Sequence, residues 1–423
     1  MAEVSGKARV LRIKGHGGRD ATVLEHESLR VMVDDIGGMI PELSLAMGKR
    51  RLNAHWLPWF RANSGRPYRD SEDGAFWKAR LLYNVAGSFP CIPNFGPGHT
   101  VEGVDMPPHG WTANLPWLFR SSGTDEETGA AWALSVLESP EKAMPLFFRK
   151  IDAVVPGQNV HYVSVAIKNA GNAALEICAG WHNTVGPPFL AESCRISGAA
   201  SAWATAPTGS EFDATTRLLP GAEFASLAEA PLGTGGKVDL SFVPGPIGYT
   251  DFATGRIDSS VSLGWSSVVN PGLKAAYICF FTGPAAAAED DFIFRFNNLW
   301  MQYGGRPFTP WAHYEGGTDM TYCLGTENSA AAWAQGLEYS RRIGKVLGAP
   351  ATVTIPAGKQ KVIRYGCLFA PYEGSGLDEG IISLEAEAGA LVGGGRGGGL
   401  RFSADPSFTI LKGLEKRAAF TLS

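Results

Sequence analysis

Short runs of alternating apolar and polar residues recur along this chain, and most are cut off by glycine or proline. A strand turns successive side chains to opposite faces, so such runs read as strands, and the punctuation keeps them from merging into long helices. Glycine and proline supply 80 of the 423 residues, against a usual share of about 12%. They follow no G-X-Y period, which excludes a collagenous chain. Hydrophobic residues reach 45%, too many for a disordered one. The expectation is an all-β fold: a large antiparallel β-sandwich with few short helices. All-β units often exceed about 200 residues, and no linker divides the sequence. Residues 1–423 therefore read as a single domain, with 1–20 as a peripheral N-terminal extension.

Residues 22–46 read as strand, turn, strand, with Gly37-Gly38 at the turn. Residues 50–80 mix aromatics and charges without a period and read as an irregular, partly covering segment. A meander is expected over 130–170, and further strands at 174–183, 238–243, 274–282, 351–356 and 360–369. Ser329–Val346 has a serine cap, helix formers and a basic last turn, and reads as a helix. Leu377–Gly389 is a second helix candidate. Residues 385–400 read as a glycine-rich loop, with Gly393–Gly399 a flexible hairpin tip. The latter lacks the GxxxxGK[ST] spacing of a phosphate loop.

Composition narrows the function. The net charge is −4 and no basic block occurs, so neither nucleic acid nor an anionic membrane surface has electrostatic support. Nothing approaches 18 uninterrupted apolar residues, which argues against a membrane span. The first 20 residues lack the apolar core of a signal peptide, and a cytoplasmic location is expected. The six cysteines form no CxxC pair and sit in apolar runs. They read as buried free thiols rather than a zinc site.

Three polar residues stand out by context. His109 lies in MPPHGWTANLPW, fixed by two prolines before it and a glycine after it. His182 ends an apolar strand in AGWHNTVGPPFL, and Glu327 follows Leu324-Gly325 in DMTYCLGTENSAAAW. Flat apolar faces with a few hydrogen bonders suit a sugar. Structural roles stay open for all three, and for Glu327 a place facing a helix N-terminus is the better reading of composition alone.

Taken together, these contexts resemble the aldose 1-epimerases, the galactose mutarotase superfamily. Gly87–Trp117, GSFPCIPNFGPGHTVEGVDMPPHGWTANLPW, looks most like its hexose-phosphate branch. LRVMVDDIGGMIPELSL is similar to the family's first hairpin. The strand ending in His182 resembles the place of its second histidine, CLGTENS that of its glutamate, and ATVTIPAGKQKVIRYGCLF its closing strand pair. The resemblance spans most of residues 25–370. It implies the mutarotase-like supersandwich and interconversion of the α and β anomers of an aldose. Glu327 would be the base, His182 the acid, and His109 would orient the sugar. No metal, nucleotide or other cofactor is implied, and the partner is a monosaccharide or small sugar.

Softer substrate-binding candidates are Asp251, which resembles an aspartate that binds sugar hydroxyls in some members, and Trp111, Trp181, Asn183, Arg306, Trp311 and His313. The arginine that the family offers before the His-Gly motif is missing after Arg80, which points to an unphosphorylated sugar. Asn53–Trp77 has no counterpart. It either covers the cleft or joins a contact in a homodimer. Three other readings stay open: a non-catalytic carbohydrate-binding protein on the same fold, a structural protein, and a carbohydrate-cleaving hydrolase or lyase. The last would pair Glu327 with Asp319 or Asp251 as its two carboxylates.

Overall fold

The computed structural model describes residues 7–417. Two antiparallel sheets form its centre. One has seven strands in the order Glu223–Phe224, Ala200–Thr205, Tyr249–Ile257, Phe296–Tyr303, Tyr322–Ala330, Ala179–Val185 and Ser88–Cys91. The other has eight: Arg195–Gly198, Leu263–Asn270, Ala275–Thr282, Gln360–Pro371, Val160–Asn169, Leu146–Val154, Ala131–Glu138 and Leu118–Thr124. Their facing side chains form one apolar core. The all-β expectation holds, and so does the meander over 130–170.

The sheets are also covered on their outer faces, so alternation gives way to continuous burial. All residues of Ala179–Val185 and Phe296–Tyr303 are buried. On the outer face of the eight-stranded sheet, Ile151, Tyr162 and Phe280 pack with Leu391, Phe402, Phe408 and Leu411 from the C-terminal region. That region is a three-stranded sheet, Ser383–Glu387, Ala390–Gly395 and Gly398–Ser403, followed by the helix Thr409–Arg417.

Several local expectations are corrected. Residues 9–14 and 20–25 are strands of a five-stranded N-terminal sheet completed by Leu29–Asp34, Glu42–Met47 and Arg50–Asn53. The span read as a peripheral extension thus pairs into the fold as far as it is described; residues 1–6 lie outside the described residues. The glycine-rich stretch 385–400 is not a loop: it covers parts of three strands joined by two tight turns. Leu377–Gly389 holds no helix, only turns and the strand Ser383–Glu387. In Ser329–Val346 only Leu337–Ile343 is helical, because Ser329 and Ala330 still belong to a strand paired on both edges. Of 238–243, only Val238 lies in a strand. Residues 50–80 contain a strand and the helix Asp70–Trp77, with a second helix at Arg80–Asn84.

All six cysteines are buried and free. No helix among the described residues is long and apolar enough to cross a membrane.

Candidate active site

Register decides which residues meet. Trp181 pairs with Asn328 and Thr184 with Gly325, which sets His182 directly across from Glu327. Phe89 pairs with His182 on one side, and Asn298 with Glu327 on the other. Directly opposed residues share a face, so Phe89, His182, Glu327 and Asn298 form a row. The adjacent row holds Thr184, Gly325, Trp300 and Phe252. Both rows face away from the eight-stranded sheet. Their neighbours Trp181, Asn183 and Asn328 face toward it and meet Tyr365.

On the outer face lies a cavity of about 280 Å³, near the lower end of ordinary small-molecule sites. Its floor is Phe89, His182, Trp300 and Glu327. One wall comes from Trp56 and the Arg80–Asn84 helix, and another from Trp311 and Arg306. The Pro107–His109 turn closes a third side.

His182 Nε2 lies 3.2 Å from Glu327 Oε1. Its Nδ1 lies 2.8 Å from Thr184 Oγ1, which holds the ring and can accept from Nδ1–H when Nε2 is the acceptor. Phe89 stacks on the imidazole at 4.6 Å between centroids, and Trp300 meets it edge-on at 5.5 Å. Glu327 is 2% exposed, and its Oε2 has no hydrogen-bond partner. Burial pushes the Glu327 carboxyl well above its usual range, with a smaller push from Glu211. Burial and the neighbouring His109 hold His182 well below the usual imidazole value. The two shifts agree physically: an apolar box disfavours separated charges, so the pair shares one proton and stays neutral overall.

Gly325 makes room for this pair. A Cβ there would lie 3.1 Å from Trp300 Cβ and 3.3 Å from Glu327 Oε1. It does not break the strand, which runs intact over Tyr322–Ala330. Glu327 therefore sits within a strand and not before a helix.

His109 adopts φ +59°, followed by Gly110 at +74°. The left-handed region costs a non-glycine residue roughly 1–2 kcal/mol, so the turn needs external ties. Asn114 Nδ2 supplies two, to the carbonyls of Pro108 at 2.6 Å and Gly110 at 2.8 Å. Asn94 Nδ2 holds Pro97 O and Pro107 O. These ties set the His109 ring edge-on to His182 at 5.3 Å. Burial lowers the His109 pKa to about 4, and its Nδ1 has no partner. It is a neutral hydrogen bonder at the cavity.

Among solved structures, the fold has clear counterparts. A Klebsiella pneumoniae protein provisionally described as an aldose 1-epimerase shares it at a TM-score of 0.59 and 14% identity, covering 86% of this chain and 83% of that one. A galactose mutarotase-like protein from Clostridium acetobutylicum matches at 0.55 and 11%, covering 86% and 99%. This chain has the galactose mutarotase-like fold. The Slr1438 protein of Synechocystis matches it at 0.52 and 11%, covering 88% and 100%. No protein-family model and no curated protein matches the sequence.

On this fold, Glu327, His182 and His109 converge on one cavity, and Arg306 and Trp311 join them. The other candidates do not. Asp251 is fully buried and accepts from Thr216 Oγ1, Arg217 N and Arg217 Nε. Trp181 and Asn183 point into the sandwich, where Trp181 donates to Ser88 Oγ at 2.8 Å and Asn183 to Tyr365. A one-residue step along a strand reverses the face, so the neighbours of His182 must point away from it. Trp111 lies in the core, and His313 is exposed beside Trp59 and Tyr314. Asp319 accepts from Gln302, Thr321 N and Arg306 N, so it anchors a loop. Neither carboxylate proposed to accompany Glu327 reaches the cavity. Glu211 does.

Sequence reasoning missed Trp56, Phe89, Phe212, Trp300 and Glu211. Trp300 shows why: every residue of its strand is buried, so no alternation separates the cavity face from the core face. The unmatched 53–77 segment and its successor were the better signal, since they build a wall.

Proposed function

We propose that this protein is an aldose 1-epimerase-like isomerase that interconverts the α and β anomers of a monosaccharide. The observation that carries the reading is the His182–Glu327 contact at 3.2 Å on the floor of an aromatic-walled cavity. Mutarotation needs an acid and a base that act together on two oxygens of one carbon. Here Glu327 donates its proton to the ring oxygen while His182 Nε2 takes the anomeric hydroxyl proton. The C1–O5 bond breaks as C1=O1 forms, leaving a carboxylate beside an imidazolium. Rotation about C1–C2 turns the aldehyde, and both protons return as the ring recloses on the other face. With Glu327 as base and His182 as acid, the same cycle starts from the ion-pair form. The two directions are linked by transfer of the shared proton.

The His109 ring on the cavity lining offers a neutral hydrogen bond to a sugar hydroxyl. Trp56 and Trp300 supply apolar surface for the C–H side of the ring. Each positioned acid or base is worth about 10²–10⁴-fold in rate. The test is equilibration of pure anomers of a sugar panel, followed by polarimetry. Acceleration lost in Glu327→Gln supports the proposal. Equal rates for wild type and variant across the panel would remove it.

A further inference from the structure

Arg306 is a buried cation on the cavity whose charge the proposed chemistry leaves unused. Its side chain is 8% exposed, and Nη2 is buried without a hydrogen bond. The guanidinium lies 4.7 Å from the Trp311 ring centroid, 5.8 Å from that of Trp300 and 5.9 Å from that of Phe212. These faces fix the plane of the fork. Arg306 N donates to Asp319, which anchors the backbone beneath it. The charge is met by a loose ion pair, with Glu211 Oε1 at 3.5 Å. Glu211 is 49% exposed, so its carboxylate can turn out to solvent. The other cation on the cavity, Lys78, is already paired with Glu315 at 2.6 Å.

A buried guanidinium with an unsatisfied nitrogen is costly unless something fills it. A planar fork held on aromatic faces matches a carboxylate bidentately. We infer that Arg306 anchors the carboxylate of an acidic sugar, a hexuronate, and that Glu211 is a latch which occupies the guanidinium until that sugar displaces it. The inference rests on the reading of the cavity as a sugar site and adds the substrate class. One available cation among apolar walls suits a monoanion better than a phosphate dianion.

The experiment titrates tryptophan fluorescence of the whole protein with glucuronate, galacturonate, glucose, galactose and glucose 6-phosphate. Anomer exchange of the same sugars is followed separately by NMR. A charged bidentate contact predicts hexuronates bound roughly 10- to 100-fold tighter than neutral hexoses. Arg306→Met abolishes that preference, and Arg306→Lys restores only part of it. Glu211→Gln removes the internal competitor and tightens hexuronate binding several-fold, a gain that a misfolded variant cannot mimic. Equal affinity for acidic and neutral sugars, preference for the phosphate, or looser hexuronate binding in Glu211→Gln would overturn the inference. Arg306-dependent hexuronate binding without faster anomer exchange would instead remove the isomerase reading and leave the anchor standing. Fast exchange of neutral sugars with no acid preference would do the reverse.

Discussion

The Glu327 carboxyl is held between one imidazole nitrogen and apolar walls, and that setting has a measurable pH consequence. Burial raises its folded pKa above the ordinary 4.5. Above that pH the unfolded chain releases the proton while the folded protein keeps it, so this group costs stability increasingly as pH rises toward the folded value. Glu327→Gln removes the cost. The variant should be more stable than wild type at about pH 7–8 and equal to it near about pH 4, which thermal unfolding across pH checks. It should also be slower in anomer exchange by roughly 10²–10⁴-fold, a stability gain set against lost activity. Gly325→Ala probes the same group sterically. The new methyl group would lie 3.3 Å from Oε1, and a shift of a few tenths of an ångström should lower kcat roughly tenfold. An unchanged kcat would show that the carboxyl position is not critical.

At the scale of elements, strand Tyr322–Ala330 and the Pro107–Gly110 turn position Glu327 and His109. The sequence SAAAWAQGLEYSRRIGKV has helix formers throughout, yet its first residues stay extended. Pairing with Ala179–Val185 and Phe296–Tyr303 satisfies their backbone on both edges, and that tertiary gain overrides propensity. The turn is legible in Pro-Pro-His-Gly, but its ties are not, because Asn114 and Asn94 gain their roles only when the chain folds back. Asn114→Ala deletes two hydrogen bonds to carbonyls of the turn. It should cost about 1–3 kcal/mol and, by freeing His109, raise KM more than it lowers kcat. Urea unfolding and steady-state kinetics separate the two effects.

Across the whole molecule, the two sheets are joined behind the cavity by a polar network. Ser88 Oγ donates to Asn183 Oδ1 at 2.7 Å, Asn183 Nδ2 to Tyr365 OH, and Tyr365 OH to Asn328 Oδ1. Tyr277 OH adds a bond to Asn183 at 3.3 Å and lies 3.1 Å from His55 Nε2. The strands that carry His182 and Glu327 are thus fixed from the opposite face by their own neighbours, Asn183 and Asn328. Tyr365→Phe leaves Asn183 Nδ2 buried without its partner and Asn328 Oδ1 with only Ser266 Oγ at 3.4 Å, at a cost of about 1–3 kcal/mol. On the proposed function, anomer exchange should fall with it, since the strands that carry His182 and Glu327 lose a shared anchor. A variant as stable and as active as wild type would show the network to be dispensable.

The sequence by itself determined the strand-rich class, through short alternation cut by glycine and proline, and it isolated His109, His182 and Glu327. His109 lies at a Pro-Pro-His-Gly turn, while His182 and Glu327 are polar residues inside strands, not at strand ends as the sequence suggests; all three are noticeable against apolar neighbours. Tertiary structure decided the rest. Register alone separates His182 from Trp181 and Asn183, sending one to the cavity and two to the core. In sheets buried on both faces, hydropathy carries no sign of direction, so Phe89 and Trp300 look like core. Asp251 looks available until Arg217 is found against it at 2.7 Å. Arg306 and Glu211 become a pair only because separate loops converge on the same rim. Such long-range pairings depend on the path of the backbone, which no local run of residues records.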